Sequence, residues 1–186
     1  MKKKTYILFN KPFGVLSQFT GEEGQRTLAE FNFPKGVYAA GRLDKDSEGL
    51  LLLSDDGPFI EKLLNPKNAH PRTYLVQVEN IPSNEALEKL RRGVQIKGHK
   101  TRPCEVELLE SEPILWERNP PIRERKSIPT AWLCITLTEG KNRQVRRMSA
   151  AIGHPTLRLV RVAISDAKLA DLPSGKWVFL ESAPTI

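Results

Sequence analysis

The chain has 186 residues, 39% of them hydrophobic and 27% charged, and a formal net charge of +7. That length and balance suit one good-sized domain, or two small lobes sharing a core, and they exclude a disordered or fibrous chain. The apolar start Tyr6-Ile7-Leu8-Phe9 is stopped at once by Asn10-Lys11-Pro12, too short for a signal-peptide core or a membrane span, so a cytoplasmic protein is expected.

In chain order, apolar or alternating runs at Tyr6–Phe9, Val37–Ala40, Leu50–Leu53, Tyr74–Val78, Cys104–Leu109, Leu133–Leu137, Leu157–Val162 and Trp177–Leu180 predict strands. Helical stretches are fewer. Thr27-Leu28-Ala29-Glu30 has capping-box spacing before Phe31, and Pro58 suits the first turn of a helix over Phe59–Leu64. Ser83 caps a helix over Glu85–Arg92 that Gly93 ends. A fourth helix, Arg143–Ile152, is bounded by Asn142 and Gly153, and Val145, Met148 and Ile152 form its inward stripe. Strands outnumber helices without βαβ alternation, so the pattern predicts an α+β fold. The proline- and charge-rich segment Glu110–Pro129 is long for a structureless connection and reads either as a solvated loop or as a functional one.

Cys104 and Cys134 lack CxxC spacing and are read as buried free thiols; His70, His99 and His154 are scattered and form no zinc pattern. Between Arg118 and Arg161 there are ten Lys or Arg and two acids, a local +8, while the remainder has 19 bases against 20 acids. Such a concentration is the footprint of a surface that neutralises phosphates. No long amphipathic helix with aromatic anchors accompanies it, so RNA is favoured over a membrane as the partner.

The most informative segment is residues 41–57, where a loop rich in acids sits between two apolar runs. Three readings stand side by side. Asp44, Lys45, Asp46 and Glu48 can be solvated charges on a strand–loop–strand connection. Asp44, Asp46, Glu48, Gly49 and Asp55 fall on the first, third, fifth, sixth and twelfth places of a calcium loop, but with imperfect ligands and strand-like flanks. The third reading is a mounted catalytic carboxylate.

Gly41-Arg42-Leu43-Asp44 followed by Ser47-Glu48-Gly49-Leu50-Leu51 resembles the signature loop of bacterial ribosomal RNA pseudouridine synthases of the RsuA type. Glu139-Gly140-Lys141-Asn142-Arg143-Gln144-Val145-Arg146-Arg147-Met148 resembles the later arginine motif of that family, and Asn10-Lys11-Pro12-Phe13-Gly14 its N-terminal element. Asn119-Pro120-Pro121-Ile122 through Thr130 is most similar to the E-type (RluE-like) large-subunit branch. The resemblance implies an antiparallel mixed sheet flanked by helices, in two lobes with a central cleft. It also implies a single catalytic domain over residues 1–186. The usual small N-terminal S4 domain is expected to be absent, since the first strand begins almost at once.

The activity implied is cofactor-free isomerisation of one uridine of 23S rRNA near the peptidyl transferase region, with base flipping; the implied partner is that rRNA or a large-subunit assembly intermediate. The reaction breaks N1–C1′, turns the base and forms C5–C1′, so nothing is added or removed and no metal, redox cofactor or nucleotide is required. By resemblance Asp44 is the reacting carboxylate, as nucleophile or as base. Arg146 is its guanidinium partner, and Tyr74 stacks on uracil and assists proton transfer. Read from the residues alone, Arg146 has a phosphate contact as its alternative, and a tyrosine at the start of a strand is more often a packing residue. Arg42 matches the residue that fills the space of a flipped base, and Leu159 with Val160 matches the apolar wall of the pocket. Arg118, Arg123, Arg125, Lys126, Lys141, Arg143, Arg147 and Arg161 are the expected RNA contacts. Arg72 stands where the family has lysine, and Lys11-Pro12 is read as a structural brace. Nothing in the sequence demands more than a monomer.

Overall fold

In the computed structural model, which describes residues 3–122 and 127–186, the elements run in chain order as follows. First come β1 (Tyr6–Lys11), β2 (Tyr38–Ala39), β3 (Glu48–Ser54), α1 (Gly57–Leu64), β4 (Arg72–Glu79) and α2 (Asn84–Arg91). Then come β5 (Gln95–Ile96), β6 (His99–Lys100), β7 (Glu105–Leu108), β8 (Thr130–Leu137) and α3 (Gln144–Ala151). The chain finishes with β9 (Thr156–Ile164), β10 (Ala167–Lys168) and β11 (Trp177–Phe179). The fold is α+β, as the excess of strands over helices predicts.

The chain divides into two compact units, the first comprising the residues up to His70 together with Arg161–Ile186 and the second Pro71–Val160. One boundary falls at Pro71, just before β4, and the other inside β9, between Val160 and Arg161, where no proline or glycine announces it.

In the first unit the strand order is β11-β1-β3-β9, with β2 beside β3 and β10 beside β9. Strand β1 pairs antiparallel with β3, Ile7 facing Leu53 and Phe9 facing Leu51, and with β11, Phe9 facing Trp177. Paired residues share a face, so Ile7, Phe9, Leu51 and Leu53 form one apolar floor, covered by Val15, Leu28 and Val37. Phe31, Phe33 and Trp177 complete it, with the Phe9 and Phe31 ring centroids 4.7 Å apart. Strand β3 is buried at every position, which is why it reads as an unbroken apolar run rather than an alternating one.

Local signals hold where a side chain can cap an amide. Thr27 makes the predicted capping box with Glu30, although the turn it opens, Leu28–Phe31, is a 3₁₀ turn. Asp56 caps α1, with Pro58 in the first turn, and its Oδ2 accepts from the Tyr6 hydroxyl at 2.5 Å. That bond and burial push the tyrosine up to about 12.

In the second unit the order is β9-β4-β8-β7, the antiparallel β4–β8 pairing running from Arg72 opposite Leu137 to Glu79 opposite Thr130. Strand β4 alternates, burying Tyr74, Val76 and Val78. Ser83 caps α2 as predicted. Helix α3 buries Val145 and Met148, but it begins at Gln144: Arg143 takes a left-handed backbone (φ 52°) at the N-cap position, and its side chain does not cap the helix. The hairpin β5–β6, with Lys97 and Gly98 in its turn, was not predicted, because two-residue strands have no periodicity to detect. Both cysteines are free thiols, half-buried rather than fully enclosed; burial pushes Cys104 up to about 11. His70 and His154 are tied to backbone carbonyls, of Lys62 and Glu79.

Candidate active site

Asp44 lies in the loop between β2 and β3, half-buried, with its carbonyl accepting from the Ser47 amide at 3.0 Å. The loop is held from beneath by the turn that follows β1. Ser17 Oγ donates to Leu43 O at 2.8 Å and accepts from Leu43 N at 3.0 Å, clamping both polar groups of the residue before Asp44. The Gly14 amide donates to Lys45 O at 2.8 Å, one residue after it. Downstream, Gly49 (φ +100°) lies so close to the β9 backbone that a Cβ there would sit 2.2 Å from Arg161 O. Only glycine fits, so this position fixes where β3 begins.

Below the loop is a set of buried charges. Lys11 is 0% exposed, and its Nζ donates to Pro12 O at 2.9 Å and Val15 O at 2.8 Å. Burial, opposed by the negative field of Glu48, Asp46 and Asp44 and reinforced by Arg161, lowers it to about 7. Glu48 is 1% exposed. The arrangement braces the loop, as expected of Lys11-Pro12. The calcium reading does not fit, since the loop is flanked by strands β2 and β3 where that motif needs helices.

Arg42 is exposed on the same loop as Asp44. Arg161, expected as a phosphate contact, is instead 4% exposed, and its Nε donates to Leu50 O at 2.8 Å, so it braces β3 inside the first unit.

The other expected site residues belong to the second unit. Tyr74 on β4 is 8% exposed and pairs with Ile135; Leu159 lies buried on the neighbouring strand β9. Arg146, on α3, is half-buried with its Nη1 3.5 Å from Thr156 O. Lys141 and Arg143 are exposed on the approach to α3, and Arg147 Nη2 donates to Asn142 Oδ1 at 2.7 Å. Arg118 donates to Pro120 O and Pro121 O, shaping its own loop, and Arg158 donates to Trp116 O at 2.9 Å with its guanidinium 5.6 Å from the indole centre. Arg72 lies beside Gly140, where a Cβ would come 3.7 Å from its Nη1. Arg123, Arg125 and Lys126 lie outside the described residues.

Sequence reasoning missed the residues that hold these motifs in shape. Gln144 is buried; its Oε1 accepts from the Lys141 amide at 2.9 Å, and its Nε2 donates to Glu139 Oε1 at 2.6 Å. A glutamine among apolar helix positions, three residues after a lysine, was the signal available. Ser17 offered a similar one, a small hydroxyl directly after Val15-Leu16.

A family model described as RNA pseudouridylate synthase matches residues 5–151. The chain belongs to the RNA pseudouridylate synthase family. Among curated relatives, a ribosomal large subunit pseudouridine synthase E of Xanthomonas campestris is 56% identical over 173 residues, 92% of each chain. One of the same name from Vibrio parahaemolyticus is 54% identical over 177 residues, 95% of this chain and 74% of its own. A crystal structure described as a pseudouridylate synthase superposes with TM-score 0.79 at 27% identity, covering 97% of this chain and 71% of that one. A human protein, RNA Pseudouridylate Synthase Domain Containing 1, shares the fold at TM-score 0.58 and 14% identity, over 97% of this chain and 80% of its own. The synthase thus keeps the family's fold. Among the described residues, none of its helices is long and apolar enough to cross a membrane.

Proposed function

We propose that this synthase isomerises a single uridine of the large-subunit (23S) ribosomal RNA, near the peptidyl transferase region, in the cytoplasm, on free rRNA or an assembly intermediate. The observation that carries the proposal is the 54–57% identity, over 88–95% of the chain, to four relatives named for the large ribosomal subunit. Residues 1–186 would act as one catalytic domain, working as a monomer.

The step conserves every atom. The N1–C1′ bond breaks, uracil turns, C5–C1′ forms, the C5 proton leaves and N1 takes one up. Asp44 is the carboxylate that attacks C1′ or removes a proton from the sugar. What supports that role is its loop: backbone groups on either side of it are clamped, so the segment that carries the carboxylate is held in place. Arg146 orients and stabilises the charged carboxylate, and Tyr74 stacks on the extruded base while its hydroxyl assists proton movement. Leu159 walls the base, and Arg42 fills the space it leaves in the RNA, offsetting an unstacking cost of roughly a few kcal/mol. Arg118, Arg123, Arg125, Lys126, Lys141, Arg143 and Arg147 meet phosphates. Because the reaction is redox-neutral and adds no group, its balance requires no cofactor.

The test is pseudouridine mapping of rRNA from cells with and without the protein, complemented by wild type or Asp44→Asn. Loss of one large-subunit site that wild type restores and Asp44→Asn does not is the expected result. A map unchanged by deletion would overturn the assignment, and rescue by Asp44→Asn would remove Asp44 from the chemistry.

A further inference from the structure

The stretch Lys89–Cys104 holds six Lys or Arg and no acid, which resumes only at Glu105. Averaging over the chain outside residues 118–161 conceals it, since acids elsewhere bring that average to about neutral. Arg91 is committed to structure, with Nε and Nη2 donating to Val106 O and Nη1 to Glu88. The others are not buried against anything. Lys97 in the β5–β6 turn, Lys100 at the end of the hairpin and Arg102 just beyond it are all exposed, and among the described residues their side chains form no ion pair.

The structure joins this stretch to the other basic one. Helix α3 packs against β5, within the second unit. Glu139 Oε1 accepts at once from the Arg102 amide at 2.8 Å and from Gln144 Nε2 at 2.6 Å, so one carboxylate pins the exit of the hairpin to the approach of α3. Lys141 and Arg143 are exposed on that approach. Two runs some forty residues apart in sequence therefore make one basic surface.

We infer that the β5–β6 hairpin, through Lys97, Lys100 and Arg102, extends the RNA-binding surface of α3 and grips the phosphate backbone of RNA flanking the target uridine. This rests on the RNA-modifying role proposed above and adds to it a second anchoring point. Polyphosphate backbone fits because the surface offers repeated exposed cations without apolar anchors. Lipid insertion needs such anchors, and among these positions Ile96 is buried. Phosphate contacts of this kind carry affinity and not sequence choice.

The test measures equilibrium binding of the full chain, across a salt series, to a labelled RNA duplex of G and C only and to a large-subunit rRNA transcript. Wild type is compared with a triple variant, Lys97→Gln/Lys100→Gln/Arg102→Gln. A control triple, Lys4→Gln/Lys35→Gln/Lys168→Gln, removes the same charge from exposed positions of the first unit. Hairpin neutralisation is expected to weaken both RNAs about tenfold or more and to flatten the slope of log affinity against log salt by about two to three. The control should stay near wild type, and the charge-preserving triple Lys97→Arg/Lys100→Arg/Arg102→Lys should restore binding. Unchanged RNA affinity and slope in the hairpin variant, or equal weakening in the control, would overturn the inference. With phosphatidylglycerol vesicles titrated in parallel, a loss confined to the vesicles would overturn it too. Because the G·C duplex contains no uridine, its result stands even if rRNA mapping fails, and the two ideas fall separately.

Discussion

Lys11 is a fully enclosed amine lowered from 10.5 to about 7, chiefly by burial, so protein stability should rise with pH just above neutrality. Between 7 and 10.5 the unfolded chain binds a proton at this amine that the folded chain has largely released, and stability increases wherever the unfolded state holds more protons. The penalty is fully present below the folded value and fades as pH approaches the unfolded one. From pH 7 to 8.5 the gain works out at about 1.6 kcal/mol, or roughly 3–6 °C in Tm for a chain of this size. Above pH 9 the sign reverses for another group: Cys104, raised to about 11 by burial, stays protonated in the fold while the unfolded thiol ionises, so stability is lost there. The window is therefore kept below pH 9. Urea titrations of wild type and Lys11→Met at pH 7.0, 7.75 and 8.5 isolate the lysine, because other groups are common to both. A steeper rise in wild type by about 1.6 kcal/mol is expected; parallel stabilities across the range would show that the buried amine keeps its proton, refuting the reasoning.

Gly49→Ala combines a left-handed backbone with a Cβ that meets Arg161 O at 2.2 Å, and should cost about 3 kcal/mol or more, read as a fall in urea midpoint; a midpoint like wild type would mean that β3 and β9 yield easily. Ser17→Ala leaves two buried groups of Leu43 without their partner, at roughly 1–3 kcal/mol each, and loosens the mount of Asp44. Its kcat should fall about tenfold with KM for RNA little changed, and a change in KM alone would place Ser17 outside the positioning of the carboxylate. Neutralising Arg123, Arg125 and Lys126 together should weaken RNA binding and flatten its salt dependence by about one for each phosphate left unneutralised, checked by the same titration.

How much could be read in advance depended on the range of the forces involved. Capping by Thr27 and Ser83 and the burial of Val145 and Met148 on α3 are set within one turn of chain, and they were legible, although Ile152, expected on the same stripe, falls at the C-cap and is only half-buried. The start of α3 was not, because Arg143 adopts a left-handed backbone that a side-chain rule for Asn142 does not anticipate. Motif residues were readable by type, but their roles separated only in three dimensions. Arg161 looked like Arg147 in the sequence, yet one braces Leu50 and the other reaches Asn142 near the surface. The bracing of Asp44 was missed for a related reason: a hydroxyl after Val15-Leu16 hints that Ser17 is held inside, but its partner lies 26 positions away and no local rule names it. Charge counting located one basic stretch and missed the second, since an average over the remaining chain cannot show two opposite concentrations.

The double clamp on the reactive loop also sets rules for length. Gly14 and Ser17 come from one short turn and grip Lys45 and Leu43, so adding or deleting a residue between them would put both grips out of phase at once. Residues 21–24 bear no such double duty and are exposed, so an inserted peptide there, a tag or a short recognition module, should be accommodated while the same insertion six residues earlier silences the enzyme.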